Sequence, residues 1–215
     1  MRVPANLKSS PYGFSPSEYL IRCKSNVELH NQTQNKAYLF YAALELRFTI
    51  ESVMFYYLWI LNKKRLTKSQ QKLWHAQDLK REILEIDPLF PYRLDFIALA
   101  AYLGGDLDKT VKPDFGLLTK SWAKLGNYLH SQKHPLSNKL PEDFWVEFSE
   151  ILQAPCENLA LVLSNPLVDL EFTQKGMDII KLYASGQMSW VDVKDTFFKN
   201  WNTIFHCVTQ YIHDI

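Results

Sequence analysis

The chain has 215 residues, 47% of them hydrophobic, and a formal net charge of +1. That length suits one compact domain with or without a small extension, and that apolar content excludes wholesale disorder. A charge near zero, with no long run of one sign, excludes bulk electrostatic attraction to nucleic acid or a membrane surface, so any RNA binding must rest on a few placed groups.

Residues 1–16 carry three prolines and read as an irregular arm, with no apolar segment of the kind a signal peptide needs. Ser17, with Pro16 before it, is the expected cap of a short helix, "SEYLIRCKSNVELH". From about Asn35 to Lys64, Leu39, Ala43, Leu46, Ile50, Val53, Tyr57 and Ile60 recur at steps of four and three. That spacing predicts a long amphipathic helix. Phe55, Tyr56, Tyr57 and Trp59 widen its apolar face, enough to be covered by the core on one side and a neighbour on the other. Its most apolar run, "SVMFYYLWIL", is shorter than a membrane span. The expectation is a soluble, cytoplasmic protein that does not enter membranes.

"LTKSQQKLWHAQDLKREILEIDPLFP" predicts one or two helices ended by Asp87-Pro88 and Pro91. "LDFIALAAYLGG" is an apolar helix closed by two glycines. After a loop, Asp114 caps a helix to about Ser131, with Leu118, Trp122, Leu125 and Leu129 on one face. A second loop leads to a helix over 142–164, expected to bend at Pro155. "NPLVDLEFTQ" reads as extended, and "KGMDIIKLYASG" as a short helix stopped by Gly186. A last helix starts at Ser189, with an apolar face from Val193 through Phe197, Trp201, Ile204 and Val208 to Tyr211. With only 7 glycines and these long periodic segments, the fold class is all-α. The chain reads as one helical domain over 17–215.

Cys23, Cys156 and Cys207 are widely separated, with no CxxC pair. Reduced, buried thiols are expected, not a zinc site or a disulfide framework. The spacings give no reason to expect a metal or a cofactor.

Two stretches carry chemistry. On the helix after Asp114, Asn127 points away from the apolar face, with Lys124 and His130 to either side and Lys120 nearby; His134 joins them only if the helix extends that far, which Pro135 directly after it disfavours. A cation, an amide and an imidazole can hold a phosphate, and the imidazole can move a proton. These groups suffice for metal-independent RNA cleavage, in which a base activates the ribose 2′-hydroxyl and a cation stabilises the developing charge. The same residues equally make the solvated side of a helix. Gly126 is a mid-helix glycine, at about 0.8–1 kcal/mol less favourable than alanine, and fits best where another group comes close. In the long helix, Arg47 and Glu51 stand at i, i+4 beside the apolar stripe, either as an ordinary ion pair or as a partly buried tie to the start of the second helix.

Together, "AALELRFTIESV" and "KLGNYLH" resemble the HEPN-like helical-bundle superfamily, specifically its DUF4145-type branch, over roughly residues 35–135. The resemblance implies a bundle of four to five core helices, here within 17–135, that forms a homodimer; residues 136–215 fall outside the match and are expected to add C-terminal helices. It implies a place in antiviral defence or toxin–antitoxin systems, either as a binding or regulatory module with an RNA or protein partner, or as a ribonuclease. In the ribonuclease reading His130 is the acid/base, Lys124 the phosphate cation and Asn127 the orienting group. Lys124 stands where ribonuclease members carry arginine, and lacks its bidentate fork.

Overall fold

The computed structural model of the protein describes residues 15–63, 65–103, 112–130, 142–164 and 167–211. Among them are eight α-helices and one two-stranded sheet. The all-α class holds, with the small sheet as an addition.

Helix α1 spans Pro16–Thr33. Its cap is Ser15, not Ser17: the Ser15 hydroxyl accepts from the Glu18 N–H, and Glu18 accepts from the Ser15 N–H. Pro16 then occupies the first helical position, where its missing N–H costs nothing. Gln34, at φ 56, turns the chain into α2, Ala37–Leu61. The latter begins two residues later than expected, because the Asn35 side chain accepts the Ala37 N–H ahead of the helix. A 3-10 turn at Gln70–Lys72 leads to α3, Ala76–Ile86, and then α4, Phe90–Leu103. Pro91 therefore opens α4 instead of ending a helix, as its fixed φ permits in a first turn. Helix α5 is Phe115–Leu129, α6 is Glu142–Leu163, α7 is Gln174–Ala184 and α8 is Trp190–Ile204.

The chain groups into two compact units. The first holds α1, α2, α5, α6 and α3 as far as Ile83. Its core includes Tyr19, Leu39, Leu46, Ile50, Met54, Leu118, Leu125, Phe148 and Leu159. Arg47 meets Gly126, Glu51 meets Trp122 and Tyr57 meets Phe115, so α2 and α5 run antiparallel. The anticipated boundary at residue 135 is not where the units divide. Helix α6 joins the first unit because its Phe148 stacks on Tyr128 of α5 and packs on Phe40 of α2.

The second unit holds α4, α7, α8 and the sheet. Phe96, Leu99, Ile179, Ile180, Val193, Phe197 and Ile204 form its core. The extended reading of "NPLVDLEFTQ" is realised as β1, Leu167–Phe172, paired antiparallel with β2, Phe205–Tyr211. The last helix consequently ends at Ile204, not Tyr211. "FHCVTQY" is rich in β-formers, and β1 offers its backbone a ladder partner. Helix α7 packs so close to the chain reversal that a Cβ at Gly176 would lie 2.5 Å from the Ile204 carbonyl oxygen. No helix among the described residues is long and apolar enough to cross a membrane.

Candidate functional site

The two motifs meet where α2 crosses α5, but they separate into an inner and an outer group. The inner group centres on Arg47. Its guanidinium carbon lies 4.3 Å from the Trp122 ring centroid, and its Nη2 lies 4.0 Å from Glu51 Oε1. Trp122 Nε1 donates a 2.6 Å hydrogen bond to the same Glu51 oxygen. The His75 ring tilts against the Trp122 ring at 5.3 Å between centroids. Arg47 and Glu51 side chains keep only 18% and 12% of their exposure. Burial raises the Glu51 carboxyl above the ordinary range, while the Trp122 hydrogen bond, Arg47 and His75 oppose that rise.

The i, i+4 pair is thus partly buried, the second of the two readings the sequence allows, yet it is a loose contact. The shorter bond to Glu51 comes from the indole. Nor does it lie at the start of α5. Trp122 and Gly126 are in the helix's middle and C-terminal half, because the antiparallel crossing brings residue 47 level with residue 126. Gly126 has a definite neighbour there: a Cβ would sit 3.6 Å from Arg47 Nη1, in ordinary van der Waals contact.

The outer group is Lys120, Lys124, Asn127 and His130, all exposed, along the opposite side of α5. Asp114 caps this helix through the Leu117 N–H, as expected. The helix closes at His130, whose N–H donates to the Gly126 carbonyl as the C-cap. His134 lies outside the described residues. The structure thus brings Arg47, Glu51 and Gly126 together and holds Lys124, Asn127 and His130 on one ridge. It does not merge the two sets.

Trp122 and His75 complete the inner group and were not singled out from sequence. Trp122 was placed on the apolar face, correctly, but its indole N–H marked it as needing a buried acceptor, one turn from Gly126. Phe55 and Trp59 are buried, Tyr56 is half-buried against Trp59, and Trp190 packs against Phe96 and Tyr183. Among the described residues, no cluster of three or more His, Cys, Asp or Glu side chains could hold a metal ion.

No family model matches the chain, and comparison with curated proteins and with solved structures returned no match.

Proposed function

We propose that the chain is a HEPN-like helical binding module acting in regulation, in antiviral defence or a toxin–antitoxin pair, and that the α5 ridge receives the phosphate backbone of RNA. The setting follows from the motif resemblance. The ligand class follows from the ridge. One observation carries the choice of binding over catalysis: Arg47 is committed to Trp122 and Glu51, while Lys120, Lys124, Asn127 and His130 stand exposed. Lysines are compact point charges suited to phosphate neutralisation. Lys124, where the ribonuclease members carry arginine, lacks the guanidinium fork that would best stabilise a pentavalent phosphorus, and the fork of Arg47 is stacked on the Trp122 indole.

The alternative is a metal-independent endoribonuclease with His130 as base, Lys124 as cation and Asn127 as orienting group. The exposure of all three on one ridge keeps them reachable by a polynucleotide, which is what favours it.

Fluorescence anisotropy with labelled single-stranded RNA tests the binding reading. Removing a phosphate-contacting lysine lowers the salt slope of log K by about 0.7 for a single strand. Lys120→Ala and Lys124→Ala should each show such a drop and a weaker affinity. Absence of binding, or binding indifferent to both variants, would rule out the ridge as an RNA site.

A further inference from the structure

Two cysteines separated by 133 positions meet in the first unit: Cys23 of α1 and Cys156 of α6 lie with their sulfurs 3.4 Å apart, both free. Cys23 is fully buried. Cys156 is buried too, but it lines an open groove of about 740 Å³ between α1 and α6, with Lys24, Val27, Gln153 and Leu161. One thiol is thus within reach of a small solute and the other waits directly behind it. We propose that Cys23 and Cys156 form a redox-reversible disulfide that fastens α1 to α6, with Cys156 as the attacking thiol and Cys23 as the resolving one.

The electrostatics agree with that order. A hydrogen bond from the Cys23 thiol and the Lys24 ammonium favour the Cys156 thiolate, against the opposing effects of burial and the Glu157 carboxylate. The same sulfur–sulfur hydrogen bond and burial push the Cys23 thiol up, and Glu45 adds to that. Reactive thiols are those with thiolate character and access, and Cys156 has both in greater measure than its partner. Bonding distance for two sulfurs is about 2.0 Å, so closure asks for a combined approach of about 1.4 Å.

With hydrogen peroxide as the oxidant, the Cys156 thiolate attacks one peroxide oxygen. The O–O bond breaks, and the departing hydroxide takes up the proton the thiol had lost, giving water. Cys156 is then a sulfenic acid. The Cys23 sulfur attacks it, the S–O bond breaks, and the oxygen leaves as a second water with the Cys23 proton. Two thiols have given up two electrons and two protons, and the peroxide has accepted both. A dithiol such as dithiothreitol reverses the bond by exchange and itself cyclises to a disulfide.

The test uses the full chain carrying Cys207→Ser, so that only this pair can react. After treatment with stoichiometric hydrogen peroxide and alkylation, peptide mapping should find Cys23 linked to Cys156 with the loss of two hydrogens. Dithiothreitol should restore two alkylatable thiols. A cross-link closing so long a loop should raise Tm by on the order of 10 °C over the reduced protein. The proposal is overturned if both thiols stay alkylatable, if Cys156 proceeds to a sulfinic acid without a cross-link, or if the link joins two chains. The order of attack has its own check in Cys23→Ser, where a dimedone adduct should form on Cys156. An adduct forming equally fast on Cys23 in Cys156→Ser would overturn that order.

Discussion

The guanidinium of Arg47 lies over the face of Trp122, 4.3 Å from guanidinium carbon to ring centroid, and the same indole donates its N–H to Glu51. Trp122 therefore serves both members of the i, i+4 pair. Arg47→Ala removes a desolvated cation–π contact and leaves Glu51 buried with one fewer positive neighbour, at a cost of about 2–4 kcal/mol. Trp122→Phe keeps a ring but deletes a hydrogen bond to a charged group, costing about 1.5–3 kcal/mol. Urea denaturation of both variants checks this. Stabilities equal to the parent would show the inner group to be energetically idle.

Gly126 gives a sharper test of the same geometry. The space above its Cα admits a methyl group at 3.6 Å from Arg47, but little more. Gly126→Ala should gain helix propensity and stabilise by about 0.5–1 kcal/mol. Gly126→Leu should instead drive Arg47 off the indole and destabilise. A denaturation midpoint that falls for alanine would mean that the approach is tighter than an ordinary contact.

Glu45 should make stability depend on pH. Its Oε2 is buried without a hydrogen-bond partner among the described residues, and Arg22 reaches Oε1 only at 3.6 Å. Burial raises its pKa above 4.5, with Arg22 opposing. Between the unfolded value and the raised folded value, the native state holds a proton that the unfolded state has released. The contribution is therefore fully present below about pH 4.5 and is lost as pH rises through the folded pKa. Glu45→Gln should lose less stability than the parent between pH 4.5 and pH 7 in urea titrations. An equal loss in both would remove Glu45 from the account.

A homodimer is proposed from the motif resemblance, and Ile21, Tyr41 and Leu44 supply exposed apolar groups on α1 and α2. Phe55, Tyr57 and Trp59 of the long helix are buried within the chain and do not supply the contact face. Light scattering at tens of micromolar should give twice the chain mass. A monomer at that concentration would contradict the proposal.

Helices were legible because their signals are local. The four-and-three spacing of Leu39 through Tyr57 marked α2, and Asp114 marked the start of α5. The ridge was legible for the same reason: Lys124, Asn127 and His130 are related by helical geometry alone. What escaped depends on contacts between distant residues. No periodicity reports that Trp122 will meet Glu51, or that Cys23 will meet Cys156. Similarly, "FHCVTQY" continues an amphipathic pattern well enough to be read as helix. Its strand state depends on β1, Leu167–Phe172, which lies before two intervening helices in the sequence. Ser15 was missed for a different reason. The choice between two serines flanking Pro16 turns on which one places a glutamate three residues on, and Glu18 answers to Ser15.

We propose that the α5 ridge binds RNA without cleaving it. Incubating labelled single-stranded RNA with the parent, His130→Ala and Lys124→Arg, all in EDTA, separates binding from cleavage. The RNA should stay full length with all three proteins while the parent retards it in a native gel. Losing one well-placed stabilising donor costs an enzyme about 10²–10³ in rate, so a surviving nuclease would reveal itself through Lys124→Arg. Cleavage by the parent that rises in Lys124→Arg and vanishes in His130→Ala would contradict the account and establish the ridge as a catalytic site.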